Sequence, residues 1–289
     1  MTTFTPLNDK ALPQAIKPAK PIHKLRSQLE IDGYGTAAGA EVLGALATID
    51  LKPLLDETQA VRRATEQSGL QRHRFYSTAI LYPWNADRLE WMPTATGADG
   101  NPASFYHQPA AFNPEEDGDT RYFTPLSENF RSSEILHRLI KVLFASIPRS
   151  RLPGVATTPV QVGAHLICMN SHNGQVASVG TPNALHVDGE QFTFIVNILR
   201  DNVSGAENVV ASRCCAGLHV DDIPADKVLY RTTLTDFLAL LGVDDARVAH
   251  LVGMLLALLP GSAGCRVALL IDFVQLIQKR TAAAHAPDR

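Results

Sequence analysis

Beyond about residue 160 the chain becomes a succession of short β-type runs separated by turn residues, and this limits the fold more than any other feature. Val160–Met169, Phe192–Leu199, Asn208–Arg213 and Val267–Phe273 are dominated by β-branched and other apolar residues, with Gly, Asn, Ser and Pro between them. Strands this short cannot bury a face alone, so they must assemble into sheets that share a core. The first half reads differently. Pro53 to Gln67 predicts a helix, with proline near its start, Leu54, Leu55, Val61 and Ala64 on one face, and Gly69 to close it. Leu136, Leu139, Ile140, Leu143 and Ile147 recur at helical spacing, which predicts a second helix over Ser132–Ile147, ended by Pro148. Helices first and strands later imply an α+β fold, with helices packed outside a β-sandwich or barrel.

Residues 1–22 carry Pro6, Pro13, Pro18 and Pro21 among lysines and read as an extended or flexible arm. No linker divides the remainder, so residues 23–289 read as one domain: a helical first part, then a β core from about 70 to 277. A net charge of -3 on 289 residues offers no basic face for nucleic acid or an anionic membrane. The start, Met-Thr-Thr-Phe-Thr-Pro, lacks the basic and apolar segments of a secretory signal, and the Leu251–Leu259 run is too short to span a bilayer. Cys168, Cys214, Cys215 and Cys265 have no CxxC spacing, which points to reduced thiols in a cytoplasmic protein rather than to zinc or disulfides.

Chemistry enters at His186-Val187-Asp188, which stands just before the Phe192–Leu199 run. In extended chain, residues i and i+2 point the same way, so this imidazole and carboxylate can reach one metal ion together. A third ligand from a distant strand would complete a facial triad, the arrangement of non-haem iron(II) oxygenases. His219-Val220-Asp221 repeats the pattern, but the Asp222–Lys227 stretch behind it reads as a solvated turn. Of the downstream histidines, His285 lies in an Ala-rich tail and His219 in a polar loop, whereas His250 opens an apolar run. A Pro/Gly turn at 260–264 then leads to Arg266, at the head of Val267–Phe273; two β-runs joined this way predict a hairpin that brings His250 and Arg266 to one cavity. A guanidinium at the head of an apolar strand needs an anion, either a ligand carboxylate or a neighbouring Asp.

Several segments, in order, resemble the bacterial 2-oxoglutarate/iron(II) dioxygenases that include the hydroxylases of free isoleucine and leucine. They are Arg72-His73-Arg74-Phe75-Tyr76; Tyr106-His107-Gln108 with Asn113, Gly118, Arg121-Tyr122-Phe123 and Pro125; Thr181-Pro182-Asn183-Ala184-Leu185-His186-Val187-Asp188-Gly189; Asn202–Glu207; Asp244-Asp245-Ala246-Arg247-Val248-Ala249-His250; and Gly264-Cys265-Arg266. The chain departs from that family at Ala206, in place of a second glycine, at Val267-Ala268, where an Asp is usual, and in the apolar Leu251–Leu259 run, which reads equally well as a buried helix. The resemblance implies a double-stranded β-helix that holds Fe(II) with His186, Asp188 and His250, and 2-oxoglutarate with Arg266. It also implies O2-dependent hydroxylation of an aliphatic C–H bond in a small substrate, a free L-amino acid or derivative. Arg121, Arg74 and Arg72 are candidates for the substrate carboxylate, and Gln108 and Asn113 for its other polar groups. For Arg72 a solvated basic face is the stronger reading, and Tyr106 and Phe123 read as core. A metal-binding barrel without turnover, and an oxygenase acting on a carrier-bound or peptide residue, stay open as alternatives.

Overall fold

A computed structural model describes residues 20–85, 88–108, 120–172, 184–259 and 262–276. The helices are α1 (Lys20–Asp32), α2 (Gly39–Leu46), α3 (Lys52–Ser68), α4 (Glu128–Arg131) and α5 (Glu134–Ser146). The strands up to the middle of the chain are β1 (Tyr34–Ala37), β2 (Arg72–Leu81), β3 (Leu89–Trp91), β4 (Ala95–Thr96), β5 (Pro102–His107), β6 (Thr120–Phe123) and β7 (Val160–His172). Then follow β8 (Phe192–Asp201), β9 (Val203–Gly205), β10 (Asn208–Ser212), β11 (Val228–Thr232), β12 (Leu240–Asp244), β13 (Val248–Val252), β14 (Leu255–Ala257) and β15 (Ala263–Gln275).

The major sheet has the order β1-β12-β8-β15-β7-β2-β3, with every pairing antiparallel. Apart from a bulge in β8 its strands alternate, and the alternation divides the interior in two. One face carries Phe75, Ala79, Val162, Leu166, Phe194, Leu269, Ile271 and Phe273, packed against Leu54 and Val61 of α3 and Leu136, Leu139, Ile140 and Leu143 of α5. Each of the larger side chains contributes on the order of 2 kcal/mol when fully buried. The other face carries Ile167, Met169, Ile195, Leu241 and Val243, which meet Val210, Val248 and Val252 of a minor sheet ordered β11-β10-β13. The segment 184–186 extends that sheet: His186 and His250 exchange both backbone hydrogen bonds at 2.9 Å.

The long helices form where the sequence predicts them. Pro53 starts α3 and Gly69, at φ 67°, caps it by donating to the Glu66 carbonyl. Ser133 caps α5 by accepting from Leu136 N–H. On α3, however, Leu55 faces solvent, and Glu57 is buried in its stead, accepting from the backbone N–H and hydroxyl of Ser127.

Other expectations need correcting. Helix α1 starts at Lys20, so residues 20–22, read as part of the arm, are helical. Strands β1 to β6 are interleaved with helices in the first half. The apolar run 251–259 holds no helix: β13 ends at Val252, β14 pairs with β9, and Leu256, Leu258 and Leu259 are exposed. No β13–β15 hairpin forms either. The two strands belong to opposed sheets, and it is the space between the sheets that brings His250 and Arg266 together.

Candidate metal centre and anion pocket

Side-chain donors of His186, Asp188 and His250 lie within 4.8 Å of one another and could hold a metal ion. Asp188 stands between the two rings, with Oδ1 3.6 Å from His186 Nε2 and Oδ2 3.4 Å from His250 Nε2. His250 sits inside β13, 3% exposed, whereas His186 and Asp188 come from the segment paired onto that strand's edge. The i, i+2 spacing turns both side chains to one side, as the sequence predicts.

The surroundings hold these groups in orientation. His186 Nδ1 faces the Ala184 carbonyl at 3.3 Å, which places the proton on Nδ1 and leaves the Nε2 lone pair toward the centre. Burial and the neighbouring His250 lower the His186 pKa to about 4, so this ring is neutral at physiological pH. Burial alone would raise the Asp188 pKa, but His250, His186 and the Thr193 hydroxyl (3.2 Å) hold it below the usual range. Burial alone would lower the His250 pKa, yet the carboxylates of Asp188 and Asp245 outweigh it and raise the value. Gln108 Nε2 donates to the Asp188 carbonyl at 2.8 Å, and its Oε1 accepts from Arg121 Nη2 at 3.1 Å.

The Asp244–His250 segment divides its labour. The Asp244 carboxylate accepts from Ala246 N–H and from Arg151, closing the turn. Arg247 crosses to α1 and donates to the carbonyls of Leu29, Glu30 and Ile31, capping that helix's C-terminus. Asp245 Oδ2 accepts from the backbone N–H groups of Asp188 (2.7 Å) and Gly189 (3.0 Å). Arg213 in turn donates to the Asp245 carbonyl.

A cavity of about 70 Å³ opens from the three donors between the sheets, lined also by Arg72, Arg74, Ile195, Val252, Arg266 and Leu270. Larger concavities, about 970 and 420 Å³, lie beside β4–β6 and behind Asp245. Size does not select the site; the convergence of donors with a buried cation does. Arg266 is 3% exposed, and its Nε and Nη2 have no hydrogen-bond partner among the described residues. Burial and the charge of Arg200 lower its pKa to about 10, which leaves it a cation. The carboxylate further along the same strand, Asp272, is six residues away from it and accepts from Gly163 N–H at 3.0 Å while facing His165 Nε2 at 2.9 Å. Register places Arg72, Met169, Arg266 and Arg200 in one row across β2, β7, β15 and β8, with a bulge at Ile198 turning Arg200 inward. Arg72 is therefore half-buried at the cavity, not on a solvated face.

Arg74 and Arg121 bracket an aromatic wall. The Arg74 guanidinium lies 5.1 Å from the Phe123 ring centre, and that of Arg121 lies 5.0 Å from Tyr106. Tyr106 is buried as expected and Phe123 half-buried, so the two belong to this wall as much as to the core. Asn113 falls outside the described residues. Sequence reasoning missed Asp245, Thr193 and His165. Asp245 stood inside a segment singled out for its histidine; the other two become visible only through strand pairing.

Two opposed antiparallel sheets with three metal-ligating side chains and a buried cation between them define a non-haem metal oxygenase type of barrel. A family model described as "2OG-Fe dioxygenase" matches residues 66–272, and the chain belongs to that family. The family implies Fe(II), 2-oxoglutarate and O2. Among curated proteins no match is found. Solved structures share the fold. A bsmA homolog from Methylobium petroleophilum PM1 is 21% identical with TM-score 0.68, over 92% of this chain and 98% of that one. IDO from Bacillus thuringiensis is 16% identical with TM-score 0.62, over 91% and 100%. The Fe(II)/(alpha)ketoglutarate-dependent dioxygenase TqaL is 13% identical with TM-score 0.65, over 88% and 86%. The shared architecture is the double-stranded β-helix. Among the described residues no helix is long and apolar enough to cross a membrane.

Proposed function

We propose that this chain is a cytoplasmic hydroxylase of a small carboxylate-bearing substrate, a free L-amino acid or derivative, with residues 23–289 acting as one catalytic domain. In this reading His186, Asp188 and His250 hold Fe(II), and Arg266 holds the distal carboxylate of 2-oxoglutarate. The observation that carries it is Arg266: a buried guanidinium with unpartnered N–H groups, in the same cavity as a two-histidine, one-carboxylate donor set. That donor set suits Fe(II) with open positions, and a planar cationic fork suits a carboxylate.

When bound, iron(II), 2-oxoglutarate and O2 supply the oxidising chemistry of the family. The chain's own residues do the rest. His186 and His250 would each offer an Nε2 lone pair to the metal, and Asp188 would supply one negative charge. Arg266 fixes the direction of the co-substrate through charge-assisted hydrogen bonds. Arg74 and Arg121, over the rings of Phe123 and Tyr106, present cationic groups to a substrate carboxylate. Gln108 ties Arg121 to Asp188, so that the substrate grip and the metal centre share one scaffold. The apolar walls from Ile195, Val252 and Leu270 keep water away from the reacting carbon.

The test is succinate release from 2-oxoglutarate by the iron-loaded protein in air, with each of the twenty L-amino acids in turn. One of them, or a small group, should raise the rate well above the substrate-free background. A background rate that no amino acid changes would reject the free amino acid in favour of a carrier-bound or peptide residue. No succinate at all, with iron bound, would make the chain a non-catalytic barrel.

A further inference from the structure

We infer that Asp245 is a positioning residue that sets the tautomer of His250 and, with the same carboxylate, fixes the backbone that carries Asp188. This rests on the reading of His186, Asp188 and His250 as metal ligands.

The observation is a division within one buried side chain. Asp245 is 2% exposed, and its Oδ2 is occupied by the N–H groups of Asp188 and Gly189. Its Oδ1 faces His250 Nδ1 at 3.9 Å, too far for a hydrogen bond, and neither atom has another partner among the described residues. Bringing that pair to hydrogen-bond length requires a shift of about 1 Å. With Nε2 given to a metal, the one proton left on the His250 ring sits on Nδ1, and an acceptor-only carboxylate is the group that fits it there. With hydrogen on Nδ1, the Nε2 lone pair of His250 points to the space it shares with Asp188 and His186. The Ala184 carbonyl does the same for His186, so each ring has its own acceptor. Asp245 differs in linking the two halves of the centre, since β13 and the 184–189 segment meet on its two oxygens.

Asn at this position separates tautomer control from scaffolding. Its single carbonyl oxygen can replace Oδ2 on the two backbone N–H groups, but its amide N–H then faces Nδ1 and forces the proton of His250 onto Nε2, where the metal must bind. Anaerobic calorimetric titration of the metal-free full chain with Fe(II), repeated with Mn(II), should show Asp245→Asn binding tenfold to a hundredfold more weakly than the parent. The melting temperature of metal-free Asp245→Asn should stay near the parent's. Should the variant fail to fold, nitrogen-15 NMR of the Zn(II)-loaded parent gives a second reading: His250 protonated at Nδ1 and ligated at Nε2. Metal affinity of a folded Asp245→Asn within twofold of the parent, or ligation of His250 through Nδ1, would overturn the inference. Loss of affinity in His250→Ala alongside an unaffected Asp245→Asn would do so while leaving the metal site itself standing. A parent chain that binds neither metal would instead sink the metal-site reading.

Discussion

His186-Val187-Asp188 and His219-Val220-Asp221 are the same motif in one chain, and their imidazole–carboxylate separations are nearly equal, 3.6 and 3.5 Å. Their surroundings are opposite. The first pair is 17% and 23% exposed at its side chains, the second 46% and 85%. The segments that carry them are even paired, since Ala184 forms a β-bridge with His219, yet of the two pairs the first lines the cavity between the sheets. His219 instead turns its ring onto the Asp221 N–H at 3.4 Å, a local cap at the surface. Two residues at i and i+2 thus give adjacency and nothing more. A third donor from another strand, acceptors behind the rings and exclusion of water are what make one pair a candidate centre.

The largest expected effect tests that contrast. Asp188→Ala should abolish both turnover and tight Fe(II) binding, because it removes the only carboxylate among the three donors. Asp221→Ala should leave both within twofold of the parent, measured as succinate release and metal content. Equal losses in the two variants would erase the distinction.

Next comes the anion end of the same cavity. Arg266→Lys keeps the charge but not the planar fork, and should cost on the order of 2–4 kcal/mol of 2-oxoglutarate binding. That is an apparent affinity weaker by roughly thirtyfold to a thousandfold in a co-substrate titration. Iron content should not change. An unaltered titration curve would assign the co-substrate carboxylate to another group.

A smaller effect concerns the floor beneath the centre. A Cβ at Gly163 would overlap the Asp272 carboxylate, which is buried against His165. Gly163→Ala should destabilise the chain by about 1–3 kcal/mol in denaturant unfolding. An Ala variant as stable as the parent would mean that Asp272 is free to move.

The smallest effect lies at the rim. Ala206 adopts φ 52°, a left-handed conformation that costs a non-glycine residue about 1 kcal/mol, and it sits where the resembling family has glycine. Ala206→Gly should stabilise the fold by up to about 1 kcal/mol, offset in part by the larger entropy of the unfolded glycine. A loss of stability would show that the Ala206 methyl, fully buried in the inner core, matters more than the strain.

How much of this was legible in the sequence follows from which interactions are local. Helices α3 and α5 announce themselves through caps and spacing, and β7, β8, β10 and β15 through apolar runs bounded by turns. His186 and Asp188 were visible because strand geometry is fixed at two residues. His250 and Arg266 do line one cavity, as the sequence predicts, but opposed sheets and not a hairpin bring them together. Helix α1 carries a weak apolar pattern, and Arg247, which caps it, lies more than two hundred residues away. Asp245, Thr193 and the row from Arg72 to Arg200 depend on register between strands far apart in sequence, which no local period encodes.

The candidate centre stands or falls on its distal histidine. Anaerobic Fe(II) titration of the parent, His250→Ala and His219→Ala, each checked for folding by circular dichroism, decides it. The prediction is one tightly bound Fe(II) per chain in the parent and in His219→Ala, and none in His250→Ala. Tight binding retained by His250→Ala and lost by His219→Ala would contradict it.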